Sequence, residues 1–145
     1  MKRVFLLHGP NLNMLGKRDP AHYGSMTLDE LIEEVEGWAK ERGFELAHLQ
    51  SNHEGALIDA LQQAREWACG ALLNAGALTH TSRALHEALL DFAKPVIEVH
   101  LSKISEREEW RRESVLRPAC AGFVEGLGAE GYRVALEKLS EVLDS

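Results

Sequence analysis

A carboxylate and an imidazole stand two residues apart in Ile97-Glu98-Val99-His100. On a β-strand that spacing puts both on one face. There the carboxylate can fix the ring and favour the imidazolium, as in an acid–base dyad, although a purely structural ion pair would read the same way. A second group lies in His8–Gly24, HGPNLNMLGKRDPAHYG, which is too rich in Gly and Pro for a helix and too long for an ordinary strand-to-helix connection. Long loops at a sheet edge are commonly lids. Within this one, Arg18 and Tyr23 flank Asp19-Pro20, so a single turn can bring guanidinium and phenol together. The ordinary alternative is an exposed arginine and a tyrosine packed on the next helix. His80, in Thr79-His80-Thr81-Ser82, precedes a helical pattern that Thr81 or Ser82 can cap. Arg107 and Arg111 share a helix face at i, i+4, with Arg112 beside them. His22, His48, His53 and His86 have no interpretable spacing.

Several other chemistries lack their residues. No GxGxxG follows the first apolar run, and GxxxxGK[ST], HExxH and any zinc-spaced His/Cys/Asp cluster are absent. A tyrosine base, a histidine acid, a polarising asparagine and several arginines suit proton abstraction next to a carbonyl followed by loss of water, with no cofactor or metal.

The elements that must position these groups alternate along the chain. Val4–Leu7, Leu46–Leu49, Ala71–Leu73, Val96–Val99 and Gly122–Val124 are apolar runs too short for helices, and they predict five strands. Leu28, Leu31, Ile32, Val35, Trp38 and Ala39 at helical spacing, closed by Gly43 in the C-cap position, predict the first crossover helix. Ala56–Ala68 and Ala84–Phe92 predict two more, Ser105–Arg112 a short charged helix, and Tyr132–Leu143 a last amphipathic one. Such alternation means parallel strands with right-handed crossovers and helices on both faces. Five strands favour a flavodoxin-like, doubly wound α/β sheet in the order 2-1-3-4-5, spanning 1–145 as one domain. In that order ligands bind at the carboxyl ends of the strands beside the switch between strands one and three. His8-Gly9-Pro10-Asn11, Asn74-Ala75-Gly76-Ala77 and His100-Leu101-Ser102 converge there.

Composition bounds the rest. The chain has 145 residues, 45% hydrophobic and 27% charged, the profile of one domain with a core of useful size. Sixteen Lys and Arg against 23 Asp and Glu give a formal charge of −7, which argues against a nucleic-acid partner. No apolar stretch is long enough for a membrane span, and the start lacks the pattern of a secretory signal, so the expected location is cytoplasmic. Cys69 and Cys120 are expected as plain buried thiols without a disulfide.

The motifs resemble those of the type II 3-dehydroquinate dehydratases of the shikimate pathway, which serves aromatic amino acid biosynthesis. The resemblance covers nearly the whole chain: GPNLNMLG (Gly9–Gly16), RDPAHYG (Arg18–Gly24), QSNHEGALID (Gln50–Asp59), LNAGALTHTS (Leu73–Ser82), PVIEVHLS (Pro95–Ser102), REEWRRESVL (Arg107–Leu116) and GLGAEGY (Gly126–Tyr132). It implies a flavodoxin-like subunit in a dodecamer of four trimers. This assembly would dehydrate 3-dehydroquinate to 3-dehydroshikimate by anti elimination through an enolate, without cofactor or metal. Tyr23 would then be the base, Arg18 the lid cation that activates it, and Asn11 the group that stabilises the enolate through a water. His100 would be the acid, supported by Glu98. The substrate carboxylate would lie against Asn74 and the backbone amides of Leu101 and Ser102, the ring hydroxyls against His80 and Arg111. Arg107 would hold Tyr23 in its charged form, and Glu87 would reach in from a neighbouring subunit.

This sequence departs from the family pattern in places. His86-Glu87 stand where Arg-Asp is usual and Arg83 where an apolar residue is common, so an Arg83–Glu87 pair at i, i+4 is expected to replace the missing arginine in orienting Glu87. His8 and Lys103 replace Asn, and Ala77 replaces Gly, changes the fold should tolerate. Two rival readings remain: a lysine Schiff base, for which Lys103 is the well-placed candidate, and a flavin- or phosphate-binding module, against which the loop after strand one lacks a Ser/Thr/Gly anion nest.

Overall fold

The computed structural model describes residues 1–145. Its strands are β1 (Lys2–His8), β2 (Phe44–Gln50), β3 (Gly70–Asn74), β4 (Val96–His100) and β5 (Gly122–Glu125), and its helices are α1 (Pro20–Tyr23), α2 (Leu28–Glu41), α3 (Glu54–Ala64), α4 (Arg83–Phe92) and α5 (Glu130–Asp144). The strands form one all-parallel sheet in the expected order β2-β1-β3-β4-β5. No helix is long and apolar enough to cross a membrane.

The period of two along each strand decides which helices it meets. Val4 and Leu6 of β1, Leu72 of β3, and Ile97 and Val99 of β4 pack with Leu31 and Val35 of α2 and Leu136 and Leu139 of α5. Phe5 and Leu7, Leu73, and Val96 face the other way, onto Leu57 and Leu61 of α3 and Leu85, Leu89 and Phe92 of α4. Each of these buried side chains contributes about 1.5–3 kcal/mol through burial. By the same parity His8 and Asn74 end their strands on the α2/α5 side, and Glu98 and His100 lie on the α3/α4 side. The register pairs His8 with Gln50 and with Asn74, so the polar residues end level with one another.

Close backbone approach holds this edge together. A Cβ on Gly9 would lie 2.3 Å from the Ala75 carbonyl oxygen, and one on Gly76, whose φ is +60°, would lie 2.6 Å from that of Pro10. Only glycine lets the β1 and β3 loops pack so tightly.

Several local expectations need correction. The first crossover helix is capped at its C-terminus by Arg42, with Gly43 following at φ +78°. Its N-terminus is a capping box, with Thr27 accepting from the Glu30 amide and Glu30 accepting from that of Thr27. α3 stops at Ala64, where Trp67 and Ala68 both turn back onto the Ala64 carbonyl. The segment 105–112 is not a helix: 3₁₀ turns at Ile104–Glu106 and Glu109–Arg111 are separated by extended backbone at Arg107. Its charged residues offer no apolar stripe that would hold a longer helix. The stretch 8–24 does contain a helix, α1. Asp19 caps it by accepting from the Ala21 amide, Pro20 occupies its first turn, and Gly24 at φ +73° ends it. Cys69 and Cys120 are free thiols, partly rather than fully buried. Burial pushes both upward in pKa, that of Cys120 to about 12 with help from the Glu98 charge.

Candidate active site

α1 delivers the phenol. It places Tyr23 beneath Arg18, whose guanidinium carbon lies 3.7 Å from the centre of the Tyr23 ring. Arg107 approaches from the segment after β4, donating from Nη1 to the Tyr23 hydroxyl at 2.8 Å and to Ser102 Oγ at 3.3 Å. The phenol oxygen therefore meets a donor cation, with a second cation over the ring.

β4 delivers the dyad. Glu98 is fully buried, and its Oε2 lies 2.5 Å from His100 Nε2. Glu98 Oε1 accepts a hydrogen bond from Ser114 Oγ at 2.9 Å. Ser114 in turn accepts from the amides of Leu116 and Arg117, so both of its lone pairs are used and its proton must go to Glu98. His100 engages Glu98 through Nε2, and its Nδ1 makes no hydrogen bond within the chain. Ser114 was not legible in the sequence, because it reaches Glu98 across sixteen positions through a turn with no periodic signal.

Between these arms lies a cavity of about 100 Å³ at the carboxyl ends of the strands. Asn11, Arg18 and Tyr23 line it from the loop after β1, Asn74 and His80 from the loop after β3. His100, Leu101, Ser102, Arg107 and Arg111 line it from β4 and beyond. Asn11 sits at φ +71°, a left-handed conformation that asparagine tolerates, and its amide donates to Asn52 Oδ1. The amides of Leu101 and Ser102 donate to no protein acceptor and are available to an anion. His80 Nδ1 is 2.7 Å from the Glu113 carbonyl, which leaves Nε2 free. Burial, with smaller contributions from His100 and Arg111, lowers the His80 pKa. The ring thus favours its neutral form, able to accept from a hydroxyl at Nε2. Arg111 Nε donates to Glu108 at 2.7 Å, and that guanidinium holds the Glu108 carboxyl below the usual carboxylate range.

Two expected residues fall elsewhere. Glu87 is exposed on α4, outside its own chain's cavity. Arg83 and Glu87 form no ion pair, so the arrangement expected to orient Glu87 is not made. His86 instead faces inward, with Nδ1 2.7 Å from the Val115 carbonyl. Lys103, the Schiff-base candidate, also lies outside the cavity, paired with Glu106 at 3.1 Å on the surface. No three His, Cys, Asp or Glu side chains cluster closely enough to hold a metal ion.

Tyr23 and His100 thus line a single cleft where the sheet order reverses. Fold and cleft together are those of a doubly wound α/β protein with its candidate site at the carboxyl ends of the strands. The family described as class II dehydroquinase matches residues 2–140. A 3-dehydroquinate dehydratase of Rhizobium etli (strain CIAT 652) is 46% identical over 139 residues, covering 96% of each sequence. A catabolic 3-dehydroquinase of Aspergillus clavatus is 45% identical, covering 96% of this chain and 93% of its own. The crystal structure of type II dehydroquinase from Butyrivibrio crossotus superposes with a TM-score of 0.93 at 39% identity, covering 96% of this chain and 97% of the other. The chain belongs to the class II dehydroquinase family and is a hydro-lyase by class.

Proposed function

We propose that this protein dehydrates 3-dehydroquinate to 3-dehydroshikimate by anti elimination through an enolate, in the cytoplasm, as a step of the shikimate pathway. The observation that carries the reading is the Tyr23 hydroxyl, which accepts from Arg107 at 2.8 Å beneath the Arg18 guanidinium, in the same cavity as His100. Tyr23, as phenolate, takes the proton next to the ketone. The electrons pass into an enolate, which Asn11 stabilises through a water. His100 then gives its proton to the leaving hydroxyl, and water departs. Glu98, held by Ser114, supports the imidazolium that His100 needs beforehand. The carboxylate of the substrate meets Asn74 and the free amides of Leu101 and Ser102. Its ring hydroxyls meet His80 and Arg111. Every proton in this scheme has a side chain to carry it, so the reading calls for neither cofactor nor metal. The assembly we propose is a dodecamer built from trimers, with Glu87 entering the site of a neighbouring subunit.

Tyr23→Phe tests the scheme, because it keeps the ring under Arg18 and removes only the base. Turnover should fall at least ~10²–10⁴-fold with the fold intact. Ordinary turnover in a folded variant, or a borohydride-trapped adduct between substrate and Lys103, would replace the tyrosine mechanism with another.

A further inference from the structure

Two buried titratable groups, His8 and Tyr132, take no part in the scheme above. Both are fully buried, His8 at the end of β1 and Tyr132 in the first turn of α5. His8 Nε2 lies 2.9 Å from the Tyr132 hydroxyl, and Asn74 Nδ2 donates to that hydroxyl at 3.2 Å. At its other end the Asn74 amide accepts from the Gly76 amide through Oδ1, also at 3.2 Å. Asn74 is 5% exposed and borders the cavity. Three buried polar side chains therefore run from the α5 side of the sheet to the wall of the site.

The donor pattern along this chain has one solution. A side-chain amide accepts only through its oxygen, so the Gly76 N–H sets Oδ1 of Asn74 and leaves Nδ2 toward Tyr132. The Tyr132 oxygen accepts from Nδ2, and its own proton needs an acceptor, which is His8 Nε2. That lone pair exists only on neutral His8 with its proton on Nδ1, the nitrogen that has no partner. Burial, with a smaller contribution from His48, lowers the His8 pKa to about 3, so the ring is neutral near pH 7. Burial likewise pushes Tyr132 upward, keeping its hydroxyl protonated. One Asn74 Nδ2 proton is thereby committed to Tyr132, and the other makes no protein hydrogen bond.

We propose that His8 and Tyr132 are positioning residues, whose hydrogen-bond chain locks the Asn74 amide so that its second Nδ2 proton is offered to the anionic group of the substrate. The proposal rests on the reading of this site as a carboxylate-binding dehydratase site. It also gives a role to His8, where this sequence departs from the asparagine of the pattern it resembles. Because the chain sets a contact to the bound substrate and touches no reacting atom, its loss should appear in binding rather than in chemistry.

The test is steady-state kinetics with 3-dehydroquinate on Tyr132→Phe, His8→Leu and His8→Gln, each with a thermal melt. A mis-set hydrogen bond to a charged group predicts about a tenfold rise in KM for Tyr132→Phe and His8→Leu, with kcat changed by less than about threefold. His8→Gln puts an amide oxygen at the reach of Nε2 and should bring KM back toward the wild-type value. Lower melting temperature or kcat with KM unchanged would show a merely structural role and overturn the proposal. A wild-type protein inert toward 3-dehydroquinate would instead refute the dehydratase reading. The chain would then be judged by the side-chain amide protons of Asn74 in NMR. Exchange protection lost in Tyr132→Phe upholds the lock, and equal exchange in both proteins removes it.

Discussion

Replacing Glu98 by glutamine keeps the shape of the side chain and removes its charge, and the surrounding hydrogen bonds decide how the new amide must sit. Ser114 has spent both lone pairs on the amides of Leu116 and Arg117, so its proton must still find an oxygen at the Oε1 position. The amide nitrogen is thereby forced toward His100 Nε2, which lies 2.5 Å from the carboxylate oxygen it replaces. An N–H cannot face an N–H, so the His100 ring would have to give up its Nε2 proton and accept. Nδ1 would then hold its proton only as neutral imidazole, a far weaker acid than imidazolium. Loss of general acid catalysis amounts to ~10²–10⁴-fold in kcat, or about 3–5 kcal/mol of barrier. The same argument predicts an unusual rescue. Ser114→Ala in the Glu98→Gln background frees the amide to turn its oxygen toward His100, and kcat should recover by about tenfold over Glu98→Gln alone, as coupled neighbours allow. Stopped-flow or steady-state turnover of the wild type, both single variants and the double variant closes the cycle. Wild-type kcat in Glu98→Gln, or a double variant no faster than Glu98→Gln, would refute the reasoning.

Arg18→Ala removes the guanidinium 3.7 Å above the Tyr23 ring and should lower kcat far more than it raises KM, whereas a raised KM alone would make Arg18 a substrate-binding residue. His8 makes stability depend on pH: its folded pKa of about 3 lies below the unfolded value of ~6.5, so the unfolded chain binds the extra proton and stability falls as pH drops through that window. At about 1.4 kcal/mol per unit, denaturant titrations at pH 4.5 should find the wild type losing about 3 kcal/mol more than His8→Gln relative to pH 7.5, and parallel losses would mean the ring is not buried neutral. Glu87→Ala should weaken turnover while each subunit stays folded, and specific activity should fall on dilution as the oligomer dissociates; a fully active monomer in sizing chromatography would remove Glu87 from the site.

Sheet order, strand positions and most of the site follow from signals that are local in sequence. The five apolar runs and three crossover patterns reflect burial at periods of 2 and 3.6, which short windows capture. Glu98 and His100 stand out because a central parallel strand is otherwise apolar, and that strand is buried from Val96 to His100. Arg18 and Tyr23 are near neighbours in the chain, and α1 needs only Asp19 and Pro20 to join them. What was hidden depends on partners distant in sequence. Ser114 acquires its role from a turn and from Glu98, and His8 acquires its role from Tyr132, 124 positions away. The helix expected over 105–112 failed for the opposite reason: favourable local charge spacing was present, but no apolar face was there to hold it. Glu87 illustrates a further limit, since an exposed side chain whose proposed partner is another subunit has nothing within its own chain to fix it.

The central claim, dehydration of 3-dehydroquinate by this chain's own side chains, is tested most directly by ultraviolet absorbance of the conjugated enone product. Purified protein is mixed with 3-dehydroquinate with and without a strong chelator. The account predicts that absorbance rises catalytically and at the same rate in both. No rise, or a rise that the chelator abolishes, would contradict it.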